Sequence, residues 1–125
     1  MSESMRRLPD AELEVMQAVW ECEAPAARAD IERILYKTHP MAMTTLLTLL
    51  TRLAEKGFLR IEKVGRSSRY VPLVSQEAYL SAQSKRFVDK LCGGNMSTFA
   101  AALCSSGLSK EELAELRDML ERGTL

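Results

Sequence analysis

Histidine is almost missing from this chain: the 125 residues contain one, His39. A lone imidazole, with no cysteine or carboxylate at ligand spacing, leaves no histidine-based metal site and no Ser–His or Cys–His nucleophile pair. His39 reads as a loop residue, suited at most to touching a backbone phosphate. Cysteine is scarce too. The three present, Cys22, Cys92 and Cys104, form no CxxC pair and fit no zinc spacing. They read as small apolar residues, and their odd number, with no secretory segment in view, places the chain by expectation in a reducing cytoplasm. There is no nucleophile elbow and no phosphate-cradling glycine loop, and Gly93-Gly94 reads as a helix break. No enzymatic role, metal or cofactor is therefore expected. No apolar run approaches the roughly 20 residues that span a bilayer, so no membrane insertion is expected. Internal repeats and low-complexity stretches are absent. Net charge is zero, with 17 basic and 17 acidic side chains, which excludes a polybasic tail protein.

What is present is a helix of unusual chemistry. In Thr44–Gly57, about 100° per residue gathers Leu46, Leu49, Leu50 and Leu53 into one stripe. Thr44, Thr48, Thr51 and Glu55 take the other side, flanked by Thr45 and Arg52, with Leu47 on the rim. Threonine is a mediocre helix former because its β-branch restricts χ1, so a merely solvated face would favour Glu, Lys or Gln. Small hydroxyls beside one Arg suit close approach to a surface rich in acceptors and methyl groups, such as the major groove of DNA. The charge distribution agrees. Between Met43 and Val71 six bases (Arg52, Lys56, Arg60, Lys63, Arg66, Arg69) face two acids, Glu55 and Glu62, a local excess of about +4. At Leu47 two readings stand: contact with a thymine methyl, or packing on the preceding turn.

In chain order, residues 1–7 read as disordered. Leu8-Pro9-Asp10 opens a first helix that carries Leu13, Met16, Ala18, Val19 and Trp20 inward, with Glu12, Glu14 and Gln17 outside, and ends near Cys22. Ala26-Ala27 leads into a second helix over 28–38, with Ile31, Ile34 and Leu35 inward. His39-Pro40 breaks it, and a short turn enters the threonine helix, closed by Gly57. Phe58–Lys63 alternates as a half-buried strand, 64–68 is a turn, and Arg69–Leu73 returns. Helix, helix, helix and hairpin make a winged helix-turn-helix over 1–74, with Arg66, Ser67 and Arg69 on the wing. Three helices follow over 75–125: Ser75 to Leu91, Ser97 to Cys104, and one from the Ser109-Lys110-Glu111-Glu112 capping box to Arg122. Their apolar residues Tyr79, Leu80, Phe87, Leu91, Phe99, Leu103, Leu113, Leu116 and Leu120 are too few for a core of their own. A second copy would cover them, so 75–125 is read as a dimerisation domain. The fold class is mainly α with a small β-hairpin.

The chain resembles the penicillinase-repressor family, bacterial regulators of the BlaI/MecI/CopY type. The resemblance runs from Leu8 to Leu120. It rests on residues 13–20 (LEVMQAVW), 44–59 (TTLLTLLTRLAEKGFL), the wing 65–72 (GRSSRYVP), 74–80 (VSQEAYL), Gly93-Gly94 and 108–113 (LSKEEL). It implies a homodimeric repressor of resistance or stress genes on a palindromic operator in double-stranded DNA. Thr44, Thr45, Thr48 and Arg52 would face the operator, with Arg66 and Arg69 holding the wing to the backbone. Two departures stand out. Copper-responsive members end in a cysteine-rich tail, whereas this chain ends Arg122-Gly123-Thr124-Leu125, so metal sensing is not expected. β-Lactam-responsive members are cut at an Asn-Phe bond, and the aligned position near Ala101-Ala102 has none. The inducing signal stays open between a membrane sensor-protease cutting elsewhere, a small molecule, and oxidation of Cys92 or Cys104. The competing readings are a winged helix used for protein–protein contact and a cysteine-based redox regulator.

Overall fold

A computed structural model describes residues 6–122. The expectation for residues 1–7 falls mainly on 1–5, outside that range, as do the last three residues of the chain. The elements are α1 (Asp10–Glu21), β1 (Ala26–Ala27), α2 (Arg28–Thr38), α3 (Met43–Glu55), β2 (Leu59–Val64), β3 (Ser67–Pro72), α4 (Gln76–Leu91), α5 (Met96–Ser105) and α6 (Lys110–Arg122). The chain divides into two compact units, one ending at Gln83 and the next beginning at Ser84.

In the first unit the leucine stripe of α3 is buried as its periodicity requires: Leu46, Leu49, Leu50 and Leu53 all enter the core. They meet Val15, Met16 and Val19 of α1, Ile31 and Leu35 of α2, Phe58 just before β2, and Leu59 and Tyr70 of the sheet. Val15, not picked out from the sequence, is fully buried. Glu12, placed outside by the sequence reading, is buried as well, with 4% exposure. It occupies the i position of the stripe 12, 15, 16, 19, so the helix carries it inward, and it accepts a charge-assisted hydrogen bond from Lys56 Nζ at the end of α3.

The sheet corrects the sequence reading in two places. It has three strands in the order β1-β3-β2, because Ala26 and Ala27 pair with Tyr70 and Arg69 rather than simply leading into α2. The hairpin turn is also tighter than expected. Val64 pairs with Ser67, so only Gly65 and Arg66 lie between the strands. Gly65 has φ +62 at the first central position, where a two-residue hairpin needs positive φ and glycine is favoured.

Tyr79 is corrected too. The sequence reading assigned it to the dimer surface, but it lies in the core of the first unit with 3% exposure. Its hydroxyl oxygen accepts from the Leu8 amide at 2.8 Å, and its ring lies 5.8 Å from Trp20 and 5.6 Å from Phe58. Trp20 Nε1 donates to the Val74 carbonyl at 2.8 Å. These contacts carry the first unit past residue 74, the boundary expected from sequence, into the first turns of α4.

In the second unit, Asn95 caps α5 by accepting from the Thr98 amide, and Ser109 and Glu112 cap α6 reciprocally at 3.0 and 2.9 Å. Phe87 and Phe99 meet edge to face at 5.7 Å. No residue of α5 or of α6 is buried. Leu91, Met96 and Leu120 are more than half exposed, at 72, 62 and 56%. Of the cysteines, Cys92 is buried, Cys104 exposed and Cys22 half-buried. Burial, with Asp30 nearby, pushes the Cys22 thiol up from its ordinary value and keeps it protonated.

Candidate nucleic-acid interface

The outer face of α3 is open. Thr44, Thr45, Thr48, Thr51 and Arg52 are all exposed, and no acidic residue occupies the first turn. Thr44, Thr45, Thr48 and Arg52 line one shallow groove of about 290 Å³ floored by Leu49. The helix begins after Ala42, which offers no side-chain cap, so its first amides point free at the end that carries the positive dipole.

The hydroxyls are arranged in a way that periodicity alone does not reveal. Thr48 Oγ1 donates to the Thr44 carbonyl at 2.9 Å, and Thr51 Oγ1 donates to the Leu47 carbonyl at 3.0 Å. Each hydroxyl has one proton, so each has used its donor inside the helix. Outward, these two threonines present a methyl group and an acceptor oxygen. That combination suits a thymine methyl and the exocyclic amine of adenine or cytosine. The charged donor on this face is Arg52, which has no acidic partner among the described residues.

Leu47 stands apart from that groove. It is 38% exposed and lines a second cleft, of about 400 Å³, with Ala27, Arg28 and Ala29 at the start of α2 and Lys63, Arg66, Ser67, Ser68, Arg69 and Tyr70 of the wing. The structure thus brings Leu47, Arg66, Ser67 and Arg69 together, and it adds Arg28 and Lys63, which the sequence reading left as solvated or undifferentiated bases. The missing signal is the pairing of Ala26 and Ala27 with β3. Two alanines carry no strand pattern, yet their register seats Arg28 beside the wing. Arg69 has a neighbour the sequence did not show: across the ladder it faces Glu62, itself engaged by Arg60 at 2.7 Å.

His39 is a loop residue as read, but its Nε2 lies 3.2 Å from Glu14 Oε2, so it ties the α2–α3 turn to α1. Among the described residues no cluster of three His, Cys, Asp or Glu side chains is disposed to hold a metal ion. No helix among them is long and apolar enough to cross a membrane.

Comparison with known proteins agrees with this geometry. A family model described as "Penicillinase repressor" matches residues 8–122. The chain is 31% identical to the penicillinase repressor of Bacillus licheniformis, covering 94% of each chain. It is 29% identical to the methicillin resistance regulatory protein MecI of Mammaliicoccus sciuri, covering 98% of this chain and 99% of that one. Among solved structures it resembles the B. licheniformis BlaI monomer in complex with the blaP half-operator, with 33% identity and a TM-score of 0.50. It also resembles the free DNA-binding domain of the repressor BlaI, with 33% identity and a TM-score of 0.52. Both cover 60% of this chain and 90% of the neighbour.

Proposed function

Because the chain belongs to the penicillinase repressor family, whose model it matches from residue 8 to residue 122, we propose that it is a DNA-binding transcriptional repressor rather than an enzyme. The observation that carries this reading is the open Thr–Arg face of α3, free of acidic neighbours in its first turn, in a winged helix similar to the DNA-binding domain of BlaI. α3 enters the major groove, where Thr44, Thr45, Thr48 and Arg52 meet base edges and Thr51 lies at the edge of the contact. The wing holds the flanking backbone through Arg66 and Ser67, with Arg69 behind them.

The protein acts as a homodimer through its C-terminal helices, whose apolar side chains are left uncovered in one copy. Two α3 helices then reach successive major grooves of a palindromic operator, about one turn of DNA apart. Polymerase is excluded while the dimer sits there. Release follows loss of the dimer, since one half-site supplies too few contacts. A membrane sensor-protease is one partner that could bring this about.

Fluorescence anisotropy with fragments from upstream of the protein's own gene tests the proposal. The expected result is tight binding to one fragment, weakening steeply with salt. Equal, weak binding to that fragment and to unrelated DNA would overturn it.

A further inference from the structure

The cleft between the start of α2 and the wing collects positive charge from three separate places in the chain. Arg28 comes from the first turn of α2, Lys63 from β2 and Arg66 from the hairpin tip, and Arg69 of β3 lines it as well. No carboxylate lines it. Arg28, Lys63 and Arg66 are exposed and have no acidic partner among the described residues, whereas Arg60, Arg33 and Lys85 each have one. Three like charges held around about 400 Å³ repel one another, and an anion relieves that repulsion. Ser67 and Ser68 add hydroxyls, and Ala29 adds only a methyl side chain to the lining.

We propose that this cleft seats one phosphate of the operator backbone, with Arg28 as its principal ligand and Lys63 and Arg66 beside it. The proposal rests on the DNA-binding reading above and adds a contact outside α3 and outside the wing residues read from sequence. The seat is positional. Leu47 of α3 lines the same cleft, so a phosphate held there sets the distance between the DNA strand and the recognition helix. Arg28 therefore strengthens binding to every sequence alike and reads no base.

The test is the salt dependence of operator binding by the full chain, followed by anisotropy between about 50 and 200 mM salt. Arg28→Gln is compared with wild type, with Lys63→Gln, and with Lys37→Gln at the far end of α2 as the control. The expected result is a log–log salt slope shallower by about 0.9 per half-site for Arg28→Gln, about 1.8 for the dimer on a two-half-site operator. Operator and scrambled DNA should weaken by the same factor, the melting temperature should hold, and Lys37→Gln should match wild type. A wild-type slope and affinity for Arg28→Gln would overturn the proposal. So would loss of discrimination between operator and scrambled DNA, which would make Arg28 a base reader. A free-anion site is distinguished by calorimetry with inorganic phosphate. Saturable, Arg28-dependent binding of phosphate with an unchanged operator slope would overturn the assignment to the DNA backbone. If wild type itself fails to bind DNA while Arg28→Gln leaves the fold intact, the repressor reading fails first and takes this proposal with it.

Discussion

Thr48 and Thr51 show how much one hydrogen decides. With their protons committed to the Thr44 and Leu47 carbonyls, they face outward as acceptors with a methyl group, and Arg52 is the charged donor on that face. Arg52→Ala should cost about 1–3 kcal/mol of operator affinity with the melting temperature unchanged. Thr48→Val keeps the shape and the methyl but deletes the acceptor. Its loss should be confined to one base position, as a set of single-base operator variants in the same binding assay will show. Inside the molecule, Glu12 and Lys56 form the other residue-scale device. Lys56 keeps 21% of its side chain exposed and Glu12 only 5%. Lysine freed of its partner can turn its ammonium to water, whereas the carboxylate cannot escape. Lys56→Met should therefore destabilise more than Glu12→Leu, and the double variant should recover most of the loss. Urea unfolding of the three variants measures this directly.

At the scale of the element, the ends of α3 are governed by backbone geometry. Gly57 has φ +82, its amide donates to the Ala54 carbonyl at 3.1 Å, and the Phe58 amide donates to the Leu53 carbonyl at 3.0 Å. This is a Schellman closure, completed by the buried contact partners Leu53 and Phe58. Gly57→Ala should cost about 1–2 kcal/mol for a non-glycine residue in the left-handed region. In a domain of this size that lowers the melting temperature by about 4–8 °C per kcal/mol, measurable by calorimetry. The glycine that stops α3 is legible in the sequence, as are the α6 capping box and the leucine stripe. Each depends on residues a few positions apart. β1 was not legible, because two alanines form a strand only when Tyr70 and Arg69 lie alongside. The hairpin was legible in kind but not in length. Ser67 and Ser68 look like turn residues, and only the register with Val64 and Lys63 makes them strand.

For the whole molecule, the decisive feature is what a single copy leaves uncovered. Leu91, Met96 and Leu120 are exposed in the C-terminal helices, where no side chain of α5 or α6 is buried. Exposed apolar area on this scale calls for a partner surface. Replacing Phe87 and Leu120 together by Glu should convert a dimer to a monomer in sedimentation velocity. The same variant should bind a two-half-site operator no better than a single half-site. A dimer that survives both substitutions would place the interface elsewhere. Tyr79 marks the limit of the sequence reading at this scale. Its position on an amphipathic helix suggested the same apolar surface as Leu80 and Phe87. Its hydroxyl contact with Leu8, 71 residues earlier in the chain, puts it in the N-terminal core instead.

The sequence by itself determined the helices, their caps, the division of α3 into a buried leucine face and an exposed threonine face, and the family to which the chain belongs. These follow from periodicity and from short-range spacing, which a linear string records. Tertiary structure alone decided the burial of Glu12 against Lys56, the place of Tyr79 in the core, and the third strand that seats Arg28 beside the wing. Each of those joins residues more than 40 positions apart. Such contacts are selected by the packing of the whole domain, and no local pattern of residues announces them.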